Sequence, residues 1–253
     1  MTSPFLRDSA ALTGRTMRHV TRSTDTIITT ALMPIAMMLM FVYVFGGAIN
    51  TGSVSYVNYM LPGILLITIA SGISYTAYRL FQDMQSGVFE RFQSMPIARP
   101  SVLWGHVLTS LVANAISVVV VVLVALLMGF RSSAGVLAWL AVAGILLLFM
   151  LALTWIAVIA GLSAKSMDGA IAFSYPLIFL PFISSAFVPT ASMPGPVRAF
   201  AENQPVTSIV NTIRALFEQQ PVGGEIWIAL AWCVGILLIA SALAMVVYRR
   251  KIA

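Results

Sequence analysis

The stretch RLFQDMQSGVFERFQSMPIARP, Arg79 to Pro100, sets charge, glutamine and proline between two long apolar runs. Phe81, Met84, Val88, Phe92 and Met95 recur at steps of three and four, with Gln82, Asp83, Gln85, Ser86, Glu90, Arg91 and Gln93 between them. That is the pattern of an amphipathic helix lying at an interface. Gly87 divides it. The preceding helix is expected to run on past Arg79, turn near Ser86 and Gly87, and restart at Val88 as a short helix that Pro96 and Pro100 end, because a residue before proline is driven out of the helical region. Such a stretch serves either as a solvated helix between membrane spans or as a docking site for another protein.

Composition settles the environment. With 60% hydrophobic and 9% charged residues and a mean hydropathy of +0.97, the chain lacks the roughly one-quarter charged content of soluble domains. It belongs in a bilayer. The net charge of +6 is not pooled into an aromatic-flanked patch, so nucleic acid is not an expected partner and the cations are read against the membrane instead. Cys233 lies inside an apolar run and reads as packing. His19 and His106 lack further ligands at metal spacing and read as structural or surface residues, so no metal site is expected.

Six apolar segments follow a basic arm over residues 1–26: Ile27 to Gly46, Tyr59 to Tyr78, Ser101 to Met128, Val136 to Leu162, Ala170 to Val188 and Ile226 to Val247. Each reaches the roughly 20 residues an α-helix needs to cross a hydrocarbon core of about 30 Å. The expected fold is an all-α integral membrane protein with six spans and both termini on one side. Eleven of the fourteen Lys and Arg fall on the side of the termini and the 79–100 loop, leaving Arg131, Arg198 and Arg214 on the other. The positive-inside bias then places both termini in the cytoplasm. The arm itself carries Arg7, Arg15, Arg18 and Arg22 and shows no cleaved signal. It reads either as an interfacial amphipathic helix or as a disordered tail.

The six segments contain no Asp, Glu, Lys or Arg. Ion-coupled carriers keep such groups in the membrane for their ions despite a cost of about 2.5–3.5 kcal/mol each, so ion coupling is disfavoured. Intramembrane catalysis is disfavoured for the same reason, and no HExxH or GxSxG spacing occurs. The only lysines, Lys165 and Lys251, lie outside any GxxxxGK[ST] context, so the chain cannot hydrolyse nucleotide by a P-loop. Any motor is another polypeptide, and 79–100 is the substantial cytoplasmic loop it would push on.

Pro34, Pro62, Pro176 and Pro181 fall inside the first, second and fifth segments and are expected to kink or break them. Thr68, Ser71, Gly72, Ser74, Tyr75 and Thr76 crowd the inner half of the second segment; with Asn114, Ser117, Thr154, Ser174, Tyr175, Ser184 and Ser185 they either pack helices closely or line a path. Between the last two segments, residues 189–225 carry Pro194, a possible helical turn over Val197 to Ala201, Asn203 and Pro205, and an apolar run from Val206 to Glu218. That run is too short to span, and its apolar content reads as re-entrant or interfacial.

Ser86-Gly87, Glu90-Arg91, Pro96 and Arg99, followed far downstream by Phe187 to Pro189, Met193-Pro194, Asn203, Pro205 and Ile213-Arg214, resemble the cytoplasmic and external motifs of ABC-2 type exporter permeases, closest to the daunorubicin-resistance-like drug and antibiotic exporters. The resemblance covers essentially the whole chain. It departs where Gln204 splits the usual asparagine-proline pair and where Gln82 to Gln85 replace a more charged run before the glycine.

The resemblance implies a half-transporter in a bacterial cell membrane, pairing with a second permease chain and with two copies of a separate ATP-binding subunit. ATP and magnesium would then sit on the partner, with no cofactor on this chain. Gly87, Val88, Phe89, Glu90, Arg91, Phe92, Met95, Pro96 and Arg99 would form the coupling helix and its flanks, with Glu90 coupling, Arg91 and Arg99 orienting, and Phe89 and Phe92 filling the partner's pocket. Thr68, Ser71, Tyr75, Ser174, Tyr175 and Ser184 are candidates for a substrate path, and Pro194, Asn203, Pro205 and Arg214 mark the external segment. The apolar spans favour a hydrophobic or amphipathic cargo such as a drug, antibiotic or lipid. A polysaccharide or lipid-linked glycan exporter, a non-transporting anchor for an ATPase and an ion-coupled carrier are the alternatives.

Overall fold

A computed structural model of the chain describes residues 24–47, 55–86 and 100–252. Among the described residues every regular element is helical. Helix α1, Thr24–Met40, runs into a π turn at Phe41–Phe45. Helices α2 (Tyr56–Gln85), α3 (Pro100–Leu127) and α4 (Val136–Ser163) follow. Then come α5 (Met167–Ala172), α6 (Ser174–Phe179) and a 3-10 turn at Leu180–Ile183. A second 3-10 turn, Thr190–Ser192, leads to α7 (Gly195–Asn203) and α8 (Pro205–Phe217), and α9 (Glu225–Ile252) closes the chain.

Four of these, α2, α3, α4 and α9, are long and apolar enough to cross a membrane, while Ala31–Phe45 and Met167–Ile183 are shorter apolar runs. The fifth apolar segment, expected over Ala170 to Val188 with a kink or break at its prolines, is indeed interrupted. It is broken into three pieces because Pro176 and Pro181 cannot donate a backbone hydrogen bond. Serine hydroxyls answer carbonyls left near the breaks: Ser174 Oγ donates to Ile171 O at 2.7 Å and Ser184 Oγ to Pro181 O at 2.5 Å. Pro34 and Pro62 behave otherwise, since α1 and α2 run through them unbroken.

Helix α2 organises the bundle. It packs against α1, α3, α4, α5, α6 and α8, while α9 lies on the far side of α4 and also meets α8. The apolar stretch of α2 is 83% buried within the chain and that of α9 only 17%. A helix apolar all round and enclosed by neighbours is the core, and a helix apolar but uncovered faces lipid. Close approach of α2 and α4 requires Gly161: a Cβ there would lie 2.7 Å from Ala77 O and 3.0 Å from Leu80 Cβ.

As expected, helix α2 runs on past Arg79 and turns at Ser86, but the amphipathic 79–85 run is not a separate helix lying along an interface. It is the direct continuation of α2, with Leu80 and Phe81 buried and Met84 packed against the buried cluster that includes Leu80, Leu103, Leu162 and Tyr248. The three-and-four spacing there marks a face turned into a helix bundle. Gln85 is the last residue of α2 and Ser86 begins the turn, its N–H donating to Gln82 O at 2.9 Å. The restart at Val88 and residues 1–23 of the 1–26 arm lie outside the described residues, and the arm's last three residues already belong to α1.

This topology sorts the bundle into two ends. The last turn of α2, the first of α3, the last of α4 and the last of α9 share one end, which carries Arg79, Lys165, Arg249, Arg250 and Lys251; it is called the basic end below. The first turns of α2, α4 and α9, with α7 and α8, form the opposite end.

Candidate functional site

At the basic end, α2 and α3 carry the two ends of the 87–99 stretch. Gly87, Val88, Phe89, Glu90, Arg91, Phe92, Met95, Pro96 and Arg99 lie outside the described residues, but their frame is visible. Asp83 Oδ2 of α2 stands 3.2 Å from His106 Nε2 of α3, tying the helices just inside the stretch. Ser86 Oγ donates to Asp83 O at 3.2 Å. Beside this tie an open cleft of about 730 Å³ is lined by Phe81, Gln82, Asp83, Gln85 and Ser86 of α2 and by Lys165, Ser166 and Met167 at the α4–α5 turn. Ser166 caps α5, its Oγ accepting from Gly169 N at 3.1 Å. No partner for His106 is visible in the sequence, because Asp83 becomes its neighbour only when α2 and α3 pair.

Deeper in, α2, α3 and α4 share a buried polar seam. Thr76 Oγ1 donates to Ser110 Oγ at 2.6 Å, and Ser110 Oγ lies 3.5 Å from Thr154 Oγ1. Asn114 Nδ2 donates to Ser110 O at 3.0 Å and to Ser110 Oγ at 3.3 Å. Asn114 Oδ1 has no hydrogen-bond partner among the described residues; it faces Gly72, where a Cβ would come within 1.9 Å of it. The pairs 76/110 and 72/114 are successive rungs of one antiparallel contact, and 83/106 continues it towards the basic end. Hydrogen bonds of this kind stabilise membrane helix pairs by about 0.6 kcal/mol each on average, so the seam sets register more than it adds strength.

The candidate path residues do not converge. Thr68 is buried, its hydroxyl spent on Ile64 O at 2.8 Å. Ser174 and Ser184 are buried and bonded to carbonyls of their own turns. Ser71 O accepts from Ser74 Oγ at 2.6 Å. Tyr75 and Tyr175 are exposed on the bundle's outer surface, and Arg79 lies over the Tyr75 ring at 5.9 Å. Within one chain these groups line no common channel.

The opposite end is built by side chains of α8 and its cap. Pro205 opens α8, a position where its missing N–H is not needed. Gln204 is the cap: its Oε1 accepts from Val206 N at 3.3 Å, while its Nε2 donates to Ile183 O at 3.0 Å and Leu180 O at 3.4 Å. The residue that interrupts the asparagine-proline pair is thus the strap holding the broken fifth segment. Asn203 is exposed and turns back to Ala199 O at 2.8 Å. Pro194 precedes α7 and its O accepts from Arg198 N at 2.8 Å. On α7, the hydrogen bond from Arg198 Nε at 2.7 Å, with a smaller contribution from Thr190, holds the exposed Glu202 carboxyl below the usual carboxylate range.

Arg214 is the centre of this end. Nη2 donates to Ser185 O at 2.8 Å and Tyr59 O at 3.0 Å, Nε to Tyr59 O at 3.2 Å, and Nη1 to Asn211 Oδ1 at 3.2 Å. Its guanidinium stacks 3.8 Å above the Tyr59 ring. Asn211 Oδ1 also accepts from Ser185 Oγ at 2.6 Å. Nearby, Asn58 and Arg131 exchange hydrogen bonds, and Ser132 Oγ donates to Phe217 O at 2.8 Å. One planar cation therefore joins the first turn of α2, the segment after the broken span and α8.

Residues 8–217 match the ABC-2 type transporter family. The chain belongs to that family. The daunorubicin resistance ABC transporter permease protein DrrB1 of Streptomyces coeruleorubidus is 29% identical over 229 residues, covering 89% of this chain and 80% of that protein. The probable doxorubicin resistance ABC transporter permease protein DrrC of Mycobacterium tuberculosis is 24% identical over 250 residues, covering 97% and 90%. In this ABC-2 permease the matched region takes in the 79–100 stretch, the seam and α8 up to Phe217, so both ends of α2 lie within it. As a mechanical part, α2 reaches from the Asp83–His106 tie at the basic end to the Arg214 node at the other.

Proposed function

We propose that this chain is the membrane-embedded half of an ATP-driven exporter that moves a hydrophobic or amphipathic compound, in the class of drugs, antibiotics and lipids, out of a bacterial cell. The observation that carries this is the family match over residues 8–217 together with relatives named for resistance to daunorubicin and doxorubicin. A separate ATP-binding subunit, in two copies, binds ATP and magnesium and docks on Val88 to Met95; Glu90 transmits its movement, Arg91 and Arg99 orient the stretch, and Phe89 and Phe92 fill the partner's pocket. Apolar anchors ringed by charge are what docking sites use. Six crossings, with Thr24–Phe45 and Met167–Ile183 completing the four long helices, put both termini and the basic end in the cytoplasm by the positive-inside bias.

A second copy of the permease completes the path. What supports this pairing is that Tyr75 and Tyr175 are exposed on the outer surface of the bundle, free to meet a second copy, whereas within one chain they line nothing. The test is affinity purification from the native membrane, with co-purifying proteins identified and ATP hydrolysis assayed, for the wild type and for Glu90→Ala with Phe92→Ala. A stoichiometric P-loop ATPase that is lost or uncoupled in the double variant is the expected result. Recovery of the chain without a nucleotide-binding partner refutes the reading. Vesicles that hold the assembled complex yet move glycan and no apolar compound would favour the polysaccharide reading, and a complex that moves nothing on adding ATP would leave an anchor.

A further inference from the structure

Glu218 caps α8 at its C-terminal end, and its N–H donates to Arg214 O at 3.1 Å. Its Oε1 is sealed from solvent and has no hydrogen-bond partner among the described residues. Two physical costs meet there: a buried carboxylate oxygen left unpaired, and a negative charge at the negative end of a helix dipole. A cation one helical turn back on the same face is within reach of an i, i+4 pair. That cation is Arg214, near enough for the Glu218 charge to act on it, but its guanidinium spends its hydrogen bonds on Tyr59 O, Ser185 O and Asn211 Oδ1. The other nearby cation, Arg131, is folded onto Leu126 O at 2.9 Å and Phe130 O at 2.7 Å.

We propose that Arg214 and Glu218 form a two-position catch on α2. In the position seen here Arg214 is seated on the first turn of α2 and on Ser185; in the other it turns back along α8 to pair with Glu218. The second position satisfies Glu218 and frees Tyr59 and Ser185, so α2 and the broken fifth segment separate from α8. Arg214 and Glu218 are positioning residues, since neither is placed on the cargo path. That α2 is driven by ATP rests on the exporter reading; the catch itself does not.

The test is electron–electron distance measurement on the full chain in lipid nanodiscs, spin-labelled through Ser55→Cys and Gln220→Cys in a Cys233→Ala background. Two distance populations are expected, and Glu218→Gln should reduce the longer one at least fivefold while the shorter one keeps its position. Glu218→Asp, which retains the charge on a shorter stem, should fall between them and guards against a folding defect in the glutamine variant. A longer population unchanged by Glu218→Gln overturns the catch, as does a single population in the wild type. Loss of the longer population on Arg131→Gln but not on Arg214→Lys assigns the pair to Arg131 and also overturns it. Two populations that respond to Glu218→Gln but not to the ATP-binding subunit with ATP and vanadate leave the catch standing and count against the exporter reading.

Discussion

Arg214 on α8 donates twice to the main-chain oxygen of Tyr59 on α2, at 3.0 and 3.2 Å, across 155 residues of sequence, and stacks on the same residue's ring. A lysine keeps the charge but not the planar fork that meets Tyr59 O and Ser185 O together. Hydrogen bonds from a charged donor are worth about 1.5–3 kcal/mol. Arg214→Lys is therefore expected to raise amide hydrogen exchange along α8 by about ten- to a hundredfold, since each 1.4 kcal/mol is tenfold. Unchanged protection in α8 would show that its apolar contacts alone hold it.

The Gly72–Asn114 rung makes a second prediction. A methyl group on Gly72 meets Asn114 Oδ1 at 1.9 Å, and overpacking a tight contact costs about 1–3 kcal/mol. Gly72→Ala should lower the unfolding midpoint, and Asn114→Ala, which removes the obstructing amide, should recover much of that loss in the double variant. Additive effects in the double-mutant cycle would mean that the two residues do not share a contact.

What the sequence disclosed and what it hid divide along physical lines. The long apolar runs of α2, α3, α4 and α9 are visible in composition because lipid demands them over about 20 residues, and α7 and α8 fall on the two pieces expected inside 189–225. The prolines of the fifth segment pointed to a break, yet Pro34 and Pro62 gave the same signal and produced none. Neighbours decide which proline interrupts a helix. The tie between Asp83 and His106, the strap from Gln204 to Ile183 and the seat of Arg214 on Tyr59 were illegible. Each joins residues that only the packed bundle makes adjacent. The resemblance flagged Arg214 as a motif residue but could not say what it holds.

Gln204 ties the start of α8 to the broken fifth segment through two carbonyls and caps the helix with its own oxygen. It is 5% exposed, so removing its amide leaves Ile183 O and Leu180 O short of a donor away from bulk water. Gln204→Leu, which keeps the bulk and discards the polar group, should cost about 1–3 kcal/mol. Limited proteolysis should then cut first between residues 183 and 204. A cleavage pattern identical to wild type would place the strap's role elsewhere.

Helix α4 supplies an internal comparison for the α2–α4 contact. Gly144 and Gly161 lie in the same helix, yet a Cβ on Gly144 meets nothing within 4 Å while one on Gly161 meets Ala77 O at 2.7 Å and Leu80 Cβ at 3.0 Å. Ala77 O is main chain of the bundle's central helix, so it cannot swing away; the helices must part instead. Replacing glycine by alanine inside a helix otherwise gains about 0.5–1 kcal/mol through lost freedom of the unfolded chain. Gly144→Ala should thus match or exceed the wild-type unfolding midpoint, and Gly161→Ala should fall below it by the equivalent of about 1–3 kcal/mol. The same separation opens the bundle beside Leu80 and Leu162, next to the helix end that carries the 87–99 stretch. On the exporter reading proposed above, transport by Gly161→Ala should therefore fall further than the amount of folded complex does. Proportional losses of folded complex and transport would confine Gly161 to stability and detach the α2–α4 contact from coupling.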